Sequence, residues 1–187
     1  MTSRRSLAAF AAGVALVAAA CDDPFSVSAQ LPVFTDTVSV FAMSGTPPSY
    51  PSVLNLFNVN TGILQSGAQF DIALDIDADS NVVIWPSSLV SGGALRVGLR
   101  DTTIGFGQLD RAPRGTYPFE ESLVVDTGTV VIAEVQTSLC QFSLTPFFYS
   151  KIVVDSIDHQ LRKLFLRVTT DPNCGFRSFE VGEVPRD

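Results

Sequence analysis

The sequence predicts an all-β protein, a single antiparallel β-sandwich or partly closed barrel that follows an N-terminal signal peptide. Three observations support this fold class. Short apolar segments alternate with a period of two residues, turn-forming residues separate them at short intervals, and no window after the leader keeps a helical period for long. The 187 residues allow one domain, and a hydrophobic content of 46% with 14 Phe supplies a core.

The leader has the three parts of a secretory signal peptide. Arg4 and Arg5 make its start positive, an apolar run extends from Leu7 to Ala20, and small residues lie immediately before Cys21. The run is shorter than the roughly 20 residues that a permanent transmembrane helix needs. The sequence therefore predicts an exported protein.

The end of the leader, Ala18-Ala19-Ala20-Cys21, resembles the lipobox of bacterial lipoproteins, and the resemblance covers only about the first 21 residues. It implies that the thiol of Cys21 receives diacylglycerol and that Cys21 becomes the first residue of the mature protein. The family usually has Leu where this chain has Ala18. Ordinary cleavage after Ala20, which would leave a free thiol on Cys21, is therefore the alternative.

The resemblance implies a signal peptide at 1–20 and a lipidated tether at 21–32, and the strand pattern predicts a β-sandwich-like domain at 33–187. It implies that the mature protein is lipid-anchored outside the cytoplasm, at the periplasmic face of the inner membrane or at the outer membrane. Ser3-Arg4-Arg5-Ser6-Leu7 also resembles the core of a twin-arginine export signal, and the general secretion route is the alternative.

The charge of the mature chain excludes one class of partner. The formal net charge is −7, and removal of Arg4 and Arg5 with the leader makes it −9. An acidic surface is repelled by phosphate backbones and by anionic lipid headgroups. We therefore expect no nucleic-acid partner, and we expect membrane attachment through the lipid anchor rather than through a basic patch.

Two cysteines remain after Cys21, and both belong to a chain bound for an oxidising compartment. Cys140 and Cys174 lack the Cys-x-x-Cys spacing of redox-active pairs, and neither lies among further metal ligands in the sequence. The sequence therefore predicts a structural disulfide. It would close a loop of about 35 residues and stabilise the domain by roughly 3 to 4 kcal/mol.

Nine segments have the alternation or the β-branched content of strands. The clearest is Phe70–Asp79, in which alternate residues are apolar and the others are mostly Asp, followed by a turn and a returning strand. The alternation predicts an apolar inner face and a solvated acidic outer face. The predicted strands are Thr37–Phe41, Val53–Val59, Phe70–Asp79, Val82–Trp85, Leu95–Leu99, Leu123–Val125, Thr129–Val135, Tyr149–Ile157 and Lys163–Thr170.

Asp75, Asp77 and Asp79 are spaced as in a calcium loop, but the pattern departs from that of an EF-hand. Ser80 stands where the loop needs Gly, and Pro86 stands where it needs a bidentate Glu. On a strand, carboxylates at alternate positions lie about 6.5 to 7 Å apart along one face. We therefore predict a solvated strand face and no metal ligands.

The sequence offers few catalytic candidates. The one histidine, His159, lies at a predicted hairpin tip, where an exposed side chain is the usual outcome. The acidic pairs Glu120-Glu121 and Asp155 with Asp158 could serve glycoside hydrolysis, although their spacing does not favour it. We assign no catalytic, cofactor-binding or metal-binding residue.

Aromatic side chains could form a sugar-binding platform on such a sandwich. The candidates are Trp85, Tyr50, Tyr117 and the run Phe147-Phe148-Tyr149, a small set for carbohydrate recognition. The sequence therefore favours a non-enzymatic binding or accessory subunit of the cell envelope, whose partners are the membrane and an envelope protein or membrane complex. A carboxylate-based hydrolase and a carbohydrate-binding module are the alternatives.

Overall fold

The computed structural model describes residues 28–92, 96–143 and 145–186, and these form two packed antiparallel sheets of five strands each. The sheets do not close into a barrel, since each has two edge strands. This confirms the predicted all-β sandwich. One five-residue α-helix, α1 (Ser87–Ser91), accompanies the strands, and no helix in the described ranges has the length and hydropathy to cross a bilayer.

The first sheet has the order β1-β10-β9-β8-β6. Its first strand pairs along its whole length with the last strand of the chain, from Phe34 opposite Thr170 to Phe41 opposite Lys163. Its strands are β1 (Phe34–Phe41), β6 (Val97–Thr102), β8 (Val130–Gln136), β9 (Phe147–Asp158) and β10 (Lys163–Asp171).

The second sheet has the order β3-β2-β4-β5-β7. Its centre is the hairpin of β4 and β5, which confirms the hairpin predicted from the sequence. The Asp77 carboxylate accepts hydrogen bonds from the backbone N–H groups of Asp79 and Asn81 and so stabilises the turn. The strands are β2 (Val53–Asn55), β3 (Asn60–Gly62), β4 (Ile72–Ile76), β5 (Val82–Pro86) and β7 (Leu123–Val125).

The main core lies between the sheets and consists mostly of Val, Ile and Leu from both inner faces. Phe148 is 1% exposed and meets the ring of Phe57 edge to face, with 5.4 Å between the ring centroids. Leu54, Leu74, Ile84 and Ile152 are also buried there. This is the apolar interior that the alternating pattern predicts.

A second layer covers the outer face of the first sheet at β8 and β9. The long connection between β6 and β7 and the chain after β10 place Leu109, Tyr117 and Phe179 over these two strands. Because both faces of β8 are covered, the strand is a nearly continuous apolar run, Val130-Val131-Ile132-Ala133, instead of an alternating one.

The predicted solvated face of Phe70–Asp79 is wrong. Asp71 is 4% exposed and Ala73 is fully buried, because Phe70, Trp85 and neighbouring side chains pack over the outer face of the second sheet. The strand also ends at Ile76, so that the residues after it form the exposed turn. The pattern failed here because Asp71 is buried as a hydrogen-bond acceptor, 2.6 Å from the N–H of Leu56.

Other predicted strands also have different bounds, and β1 and β9 are longer than predicted. The segment Val53–Val59 contains only β2 and then turns, with Val59 at a φ of 51°, before β3 begins. The strand predicted at Leu95–Leu99 is β6 and continues to Thr102.

The disulfide and the N-terminal entry of the chain meet at one end of the first sheet. Cys140 and Cys174 are bonded, as predicted, with their Cα atoms 5.5 Å apart. The adjacent Asn173 accepts hydrogen bonds from the N–H groups of Gln30 and Leu31 through its Oδ1 and donates to the carbonyl of Leu31. The buried Asp171 accepts hydrogen bonds from the backbone N–H and the side-chain amide of Asn173 and from the N–H of Ser178.

We expect removal of the disulfide in the double variant Cys140→Ala and Cys174→Ala to lower the free energy of unfolding by about 3 kcal/mol. The cross-link spans a sequence separation of 34 residues and restricts the unfolded chain. Urea unfolding followed by circular dichroism measures the loss. Wild-type protein under reducing conditions is the control and should lose the same amount; a loss below about 1 kcal/mol in both would contradict the prediction.

Asp71 should make the domain less stable as the pH rises from about 4 to 6. Burial raises the pKa of its carboxyl from 3.8 to about 6, so the folded state binds the proton more tightly than the unfolded state does. The variant Asp71→Asn keeps an acceptor for the N–H of Leu56 and carries no charge. Relative to the wild type, it should therefore gain about 2 kcal/mol between pH 4 and pH 7.5.

Urea unfolding of both proteins at the two pH values tests this. Asp79→Asn, at the exposed turn of the same hairpin, is the matched control. If the stability of Asp71→Asn changed with pH in parallel with that of the wild type, Asp71 would not be the source of the effect.

Candidate functional site

A small polar pocket of about 230 Å³ lies on the outer face of the first sheet. Glu134 of β8 and Tyr149 of β9 are paired directly across the two strands, so both side chains point toward this face. Tyr117 reaches the pocket from the connection between β6 and β7. The remaining lining residues are Pro113, Arg114, Gly115, Thr145, Gly175 and Arg177.

Gly98 allows Tyr117 to lie close to the sheet. A Cβ atom added at Gly98 would be 2.6 Å from the Cβ of Tyr117 and 2.9 Å from its carbonyl oxygen, which is too close for any side chain. The Tyr117 hydroxyl donates to the carbonyl of Pro113 at 2.8 Å, and its ring meets that of Tyr149 edge to face at 6.1 Å between centroids. The absence of a side chain at Gly98 therefore allows Tyr117 to form one wall of the pocket.

The Tyr149 hydroxyl donates a hydrogen bond of 2.6 Å to Oε1 of Glu134. Burial raises the pKa of Glu134, and the hydrogen bond from Tyr149 partly offsets this effect. Burial also raises the pKa of Tyr149, and it raises that of Tyr117 to about 12. Both tyrosines are therefore neutral hydrogen-bond donors at neutral pH.

The lining combines one carboxylate with two guanidinium groups. Arg114 and Arg177 can donate hydrogen bonds, and Arg177 already donates to the carbonyl of Ala112 at 3.2 Å. Glu134 is the one acidic residue among the described lining residues. Hydrolysis by two carboxylates needs a second acid on the opposite side of the scissile bond. The arrangement suits the binding of a small polar group that carries both donors and acceptors.

Lys151 is a buried lysine close to this pocket, on the same face of β9. Its ammonium donates to the carbonyls of Phe106 and Leu109 at 2.7 and 2.9 Å and lies 4.6 Å from the centre of the Phe106 ring. Burial lowers the pKa of Lys151. Because two of its three N–H donors bind carbonyls of the covering loop and it is only 5% exposed, we assign it to holding that loop on the sheet.

A larger depression of about 1180 Å³ adjoins the point where the chain enters the domain. It is bordered by Ser28 and Ala29, by Asp110 and Arg111, and by the chain after Cys174. Side chains of opposite charge stand next to each other along its wall, so no single sign of charge favours an ionic ligand there. The wall after Cys174 consists of Phe176, Arg177, Ser178, Glu180, Glu183, Val184, Pro185 and Arg186.

Of the residues singled out in the sequence, Cys21 lies outside the described residues. Asp75, Asp77 and Asp79 do not converge on one point. Asp75 accepts two hydrogen bonds from Ser44 and lies 3.4 Å from the guanidinium of Arg162, while Asp77 binds the backbone of its own turn. Within residues 28–92, 96–143 and 145–186, no group of three or more His, Cys, Asp or Glu is placed to hold a metal ion.

The other candidates for acid and base chemistry also lie apart. His159 is exposed in the turn between β9 and β10, and Glu120 and Glu121 are exposed on a loop. Asp155 forms two hydrogen bonds with Arg167, at 2.7 and 2.8 Å, whereas Asp158 accepts hydrogen bonds from the N–H groups of Gln160 and Leu161 in the turn after β9.

The aromatic candidates do not form one platform. Trp85 packs on the outer face of the second sheet, whereas Tyr117 and Tyr149 are buried on the outer face of the first. Tyr50 is exposed and lies against Phe41, with 4.5 Å between the ring centroids. The structure therefore separates the residues that a sugar-binding surface would need to bring together.

The sequence analysis missed Glu134 and Lys151. Each is the one charged residue within a long apolar or uncharged segment, Val130–Val135 for Glu134 and Val135–Val154 for Lys151. A single charge in a strand that is otherwise apolar is the signal that could have identified them, because such a residue must find a polar partner when the strand is buried.

Replacement of Tyr149 by Phe should raise the pKa of Glu134 above its value in the wild type. The variant removes the hydrogen bond that favours the carboxylate form, while the burial that favours the protonated form remains. Carbon-detected NMR titration of the Glu134 carboxyl group measures the change. Tyr117→Phe is the matched control, since that hydroxyl donates to Pro113. An equal rise in both variants would rule out the specific role of Tyr149.

Comparison with known proteins gives no match: no protein-family model, no curated protein and no solved structure resembles this chain closely enough to count. Its function must therefore be inferred from its own residues and from the geometry described above.

Proposed function

We propose that this chain is an exported, lipid-anchored binding module of the bacterial cell envelope, held by a diacylglycerol on Cys21. The observation that carries the proposal is the cysteine at the end of the signal peptide, nine residues before Gln30, where Asn173 fixes the chain to the domain. The segment between them contains Asp22, Asp23 and Pro24 and is suited to a short tether. The Cys140–Cys174 disulfide is compatible with an oxidising compartment.

The pocket around Glu134 supports a binding role for the domain. It combines a half-buried carboxylate, two neutral tyrosine hydroxyls and two guanidinium groups within about 230 Å³. This volume suits a small polar ligand or one side chain of a protein partner. We propose that the module binds such a group without chemical conversion and acts as an accessory subunit of an envelope protein or membrane complex.

A carboxylate-based hydrolase is the second candidate. One observation favours it, the raised pKa of Glu134, because a raised pKa is what a general acid needs. It ranks second because the described lining supplies one carboxylate where the mechanism needs two.

The lipid anchor should be lost in the variant Cys21→Ala. The full-length wild type should sediment with membranes, and its N-terminal peptide should begin at Cys21 and carry the mass of the added lipid. The variant has no thiol to accept diacylglycerol, so most of it should be in the soluble fraction or remain as uncleaved precursor. Membrane fractionation and mass spectrometry measure both outcomes.

The double variant Cys140→Ala and Cys174→Ala is the control, since it keeps Cys21 and should stay with membranes. Wild-type protein with an unmodified Cys21 would contradict the proposed anchor.

Copurification of the full-length protein from solubilised membranes, compared with the variant Glu134→Gln, then tests the binding role. A partner that is retained by the wild type and reduced at least about ten-fold by the variant would identify the pocket as its site.

A further inference from the structure

The loop between β8 and β9, residues 137–146, presents two large apolar side chains to solvent. Phe142 is 94% exposed and Leu139 is 66% exposed. Residue 144 of this loop lies outside the described residues. Exposed large apolar side chains on one small region mark a contact with a partner or a membrane more often than isolated ones do.

A disulfide and a hydrogen bond fix the backbone of the loop, although its tip projects into solvent. Cys140, between the two exposed residues, is fully buried and bonded to Cys174. Thr137 caps the short helical turn Ser138–Cys140 by accepting a hydrogen bond from the N–H of Leu139. The exposure of Leu139 and Phe142 is therefore imposed by a cross-linked backbone.

The exposed tip lies at the end of the domain where the tether arrives. Cys174, the disulfide partner of the loop, follows Asn173, which binds the backbone of Gln30 and Leu31. Eight residues lie between Cys21 and Gln30, and a chain of this length reaches at most about 30 Å. A lipid on Cys21 would thus keep this end of the domain close to the bilayer surface.

The distribution of charged residues also favours an orientation in which this end of the domain faces the bilayer. No charged residue occurs between Glu134 and Lys151, whereas the mature chain as a whole carries a formal net charge of −9 after loss of Arg4 and Arg5 from a total of −7. Anionic headgroups repel an acidic surface, and the repulsion is weakest at an uncharged segment. The 137–146 loop can therefore approach lipid at low electrostatic cost.

We propose that Leu139 and Phe142 insert into the interfacial region of the membrane that holds the lipid anchor and form a second membrane contact. This inference rests on the proposed anchoring of Cys21. The anchor supplies the affinity, because it raises the local concentration of the loop at the bilayer, and the two side chains supply the orientation. The pocket around Glu134, which Thr145 and Gly175 border, then opens next to the membrane surface.

Tryptophan placed at the loop tip tests the contact. Full-length lipidated protein carrying Phe142→Trp is reconstituted into vesicles of phosphatidylethanolamine and phosphatidylglycerol, with and without brominated acyl chains, which quench tryptophan on contact. Leu161→Trp is the matched control, since Leu161 is 59% exposed in the turn between β9 and β10, at the opposite end of the same sheet. Trp85, the one native tryptophan, gives the same background in both variants.

We expect the brominated lipid to quench the added tryptophan at 142 at least about two-fold more than that at 161, with a blue-shifted emission for position 142 only. Equal quenching at the two positions, or none at either while the protein remains on the vesicles, would overturn the membrane contact and leave the anchor intact. A tryptophan at 142 that is shielded from aqueous iodide but not quenched by brominated lipid would place the loop against a second copy of this chain and equally overturn the membrane contact.

Loss of the full-length protein from the vesicles would refute the anchor, and with it the inference. The vesicle-bound fraction, measured by flotation in the same samples, separates this outcome from the others. Leu139→Ser with Phe142→Ser provides a second test: the double variant should stay on the vesicles through Cys21, and limited proteolysis at the loop should become at least about three-fold faster than in the wild type once the loop is no longer shielded by lipid.

Discussion

The turn after β10 is the constraint on which the rest of the structure depends. Asp171 is fully buried and accepts three hydrogen bonds, two from Asn173 and one from the N–H of Ser178. Asn173 in turn holds the incoming chain at Gln30 and Leu31, and Cys174 holds the 137–146 loop. Three segments that are distant in sequence are therefore fixed at one point, and the end of the sandwich next to Gln30 and Leu31 has a defined shape.

Burial on both faces of β8 and β9 explains how the candidate site arises. A strand covered on both sides has no solvated face, so each polar side chain in it must be satisfied by the protein. Lys151 meets this requirement through the carbonyls of the covering loop, and Glu134 through Tyr149 and the open side of the pocket. The covering layer that completes the second core thus also makes the pocket in which Glu134 is half-buried.

The architecture could be predicted from the sequence, and the covering layers could not. Alternation and turn residues were sufficient to predict the β4–β5 hairpin. The expected oxidising compartment and the spacing of the two cysteines were sufficient to predict the Cys140–Cys174 disulfide. Alternation also predicted a solvated Asp71, which failed because a period of two does not reveal what the rest of the chain packs over a sheet.

The candidate site was missed for a related physical reason. Glu134 and Tyr149 lie 15 residues apart and meet only through the register of β8 and β9, while Tyr117 arrives from an irregular loop. Strand register follows from the whole sheet and not from a local pattern. The proposed role of Cys21, by contrast, follows from a local pattern of the sequence and needs no fold to be predicted.

The pairing of the first strand with the last determines when this domain can become complete. A chain that crosses a membrane in extended form, N-terminus first, delivers β1 long before β10, yet Phe34 hydrogen-bonds opposite Thr170 and Phe41 opposite Lys163. Until β10 emerges, β1 has an unpaired edge, and the side chain of Val40 has no core in which it can be buried. On such a route, the sandwich cannot close before β10 has crossed the membrane, and until then the incomplete domain is exposed to proteases and to aggregation.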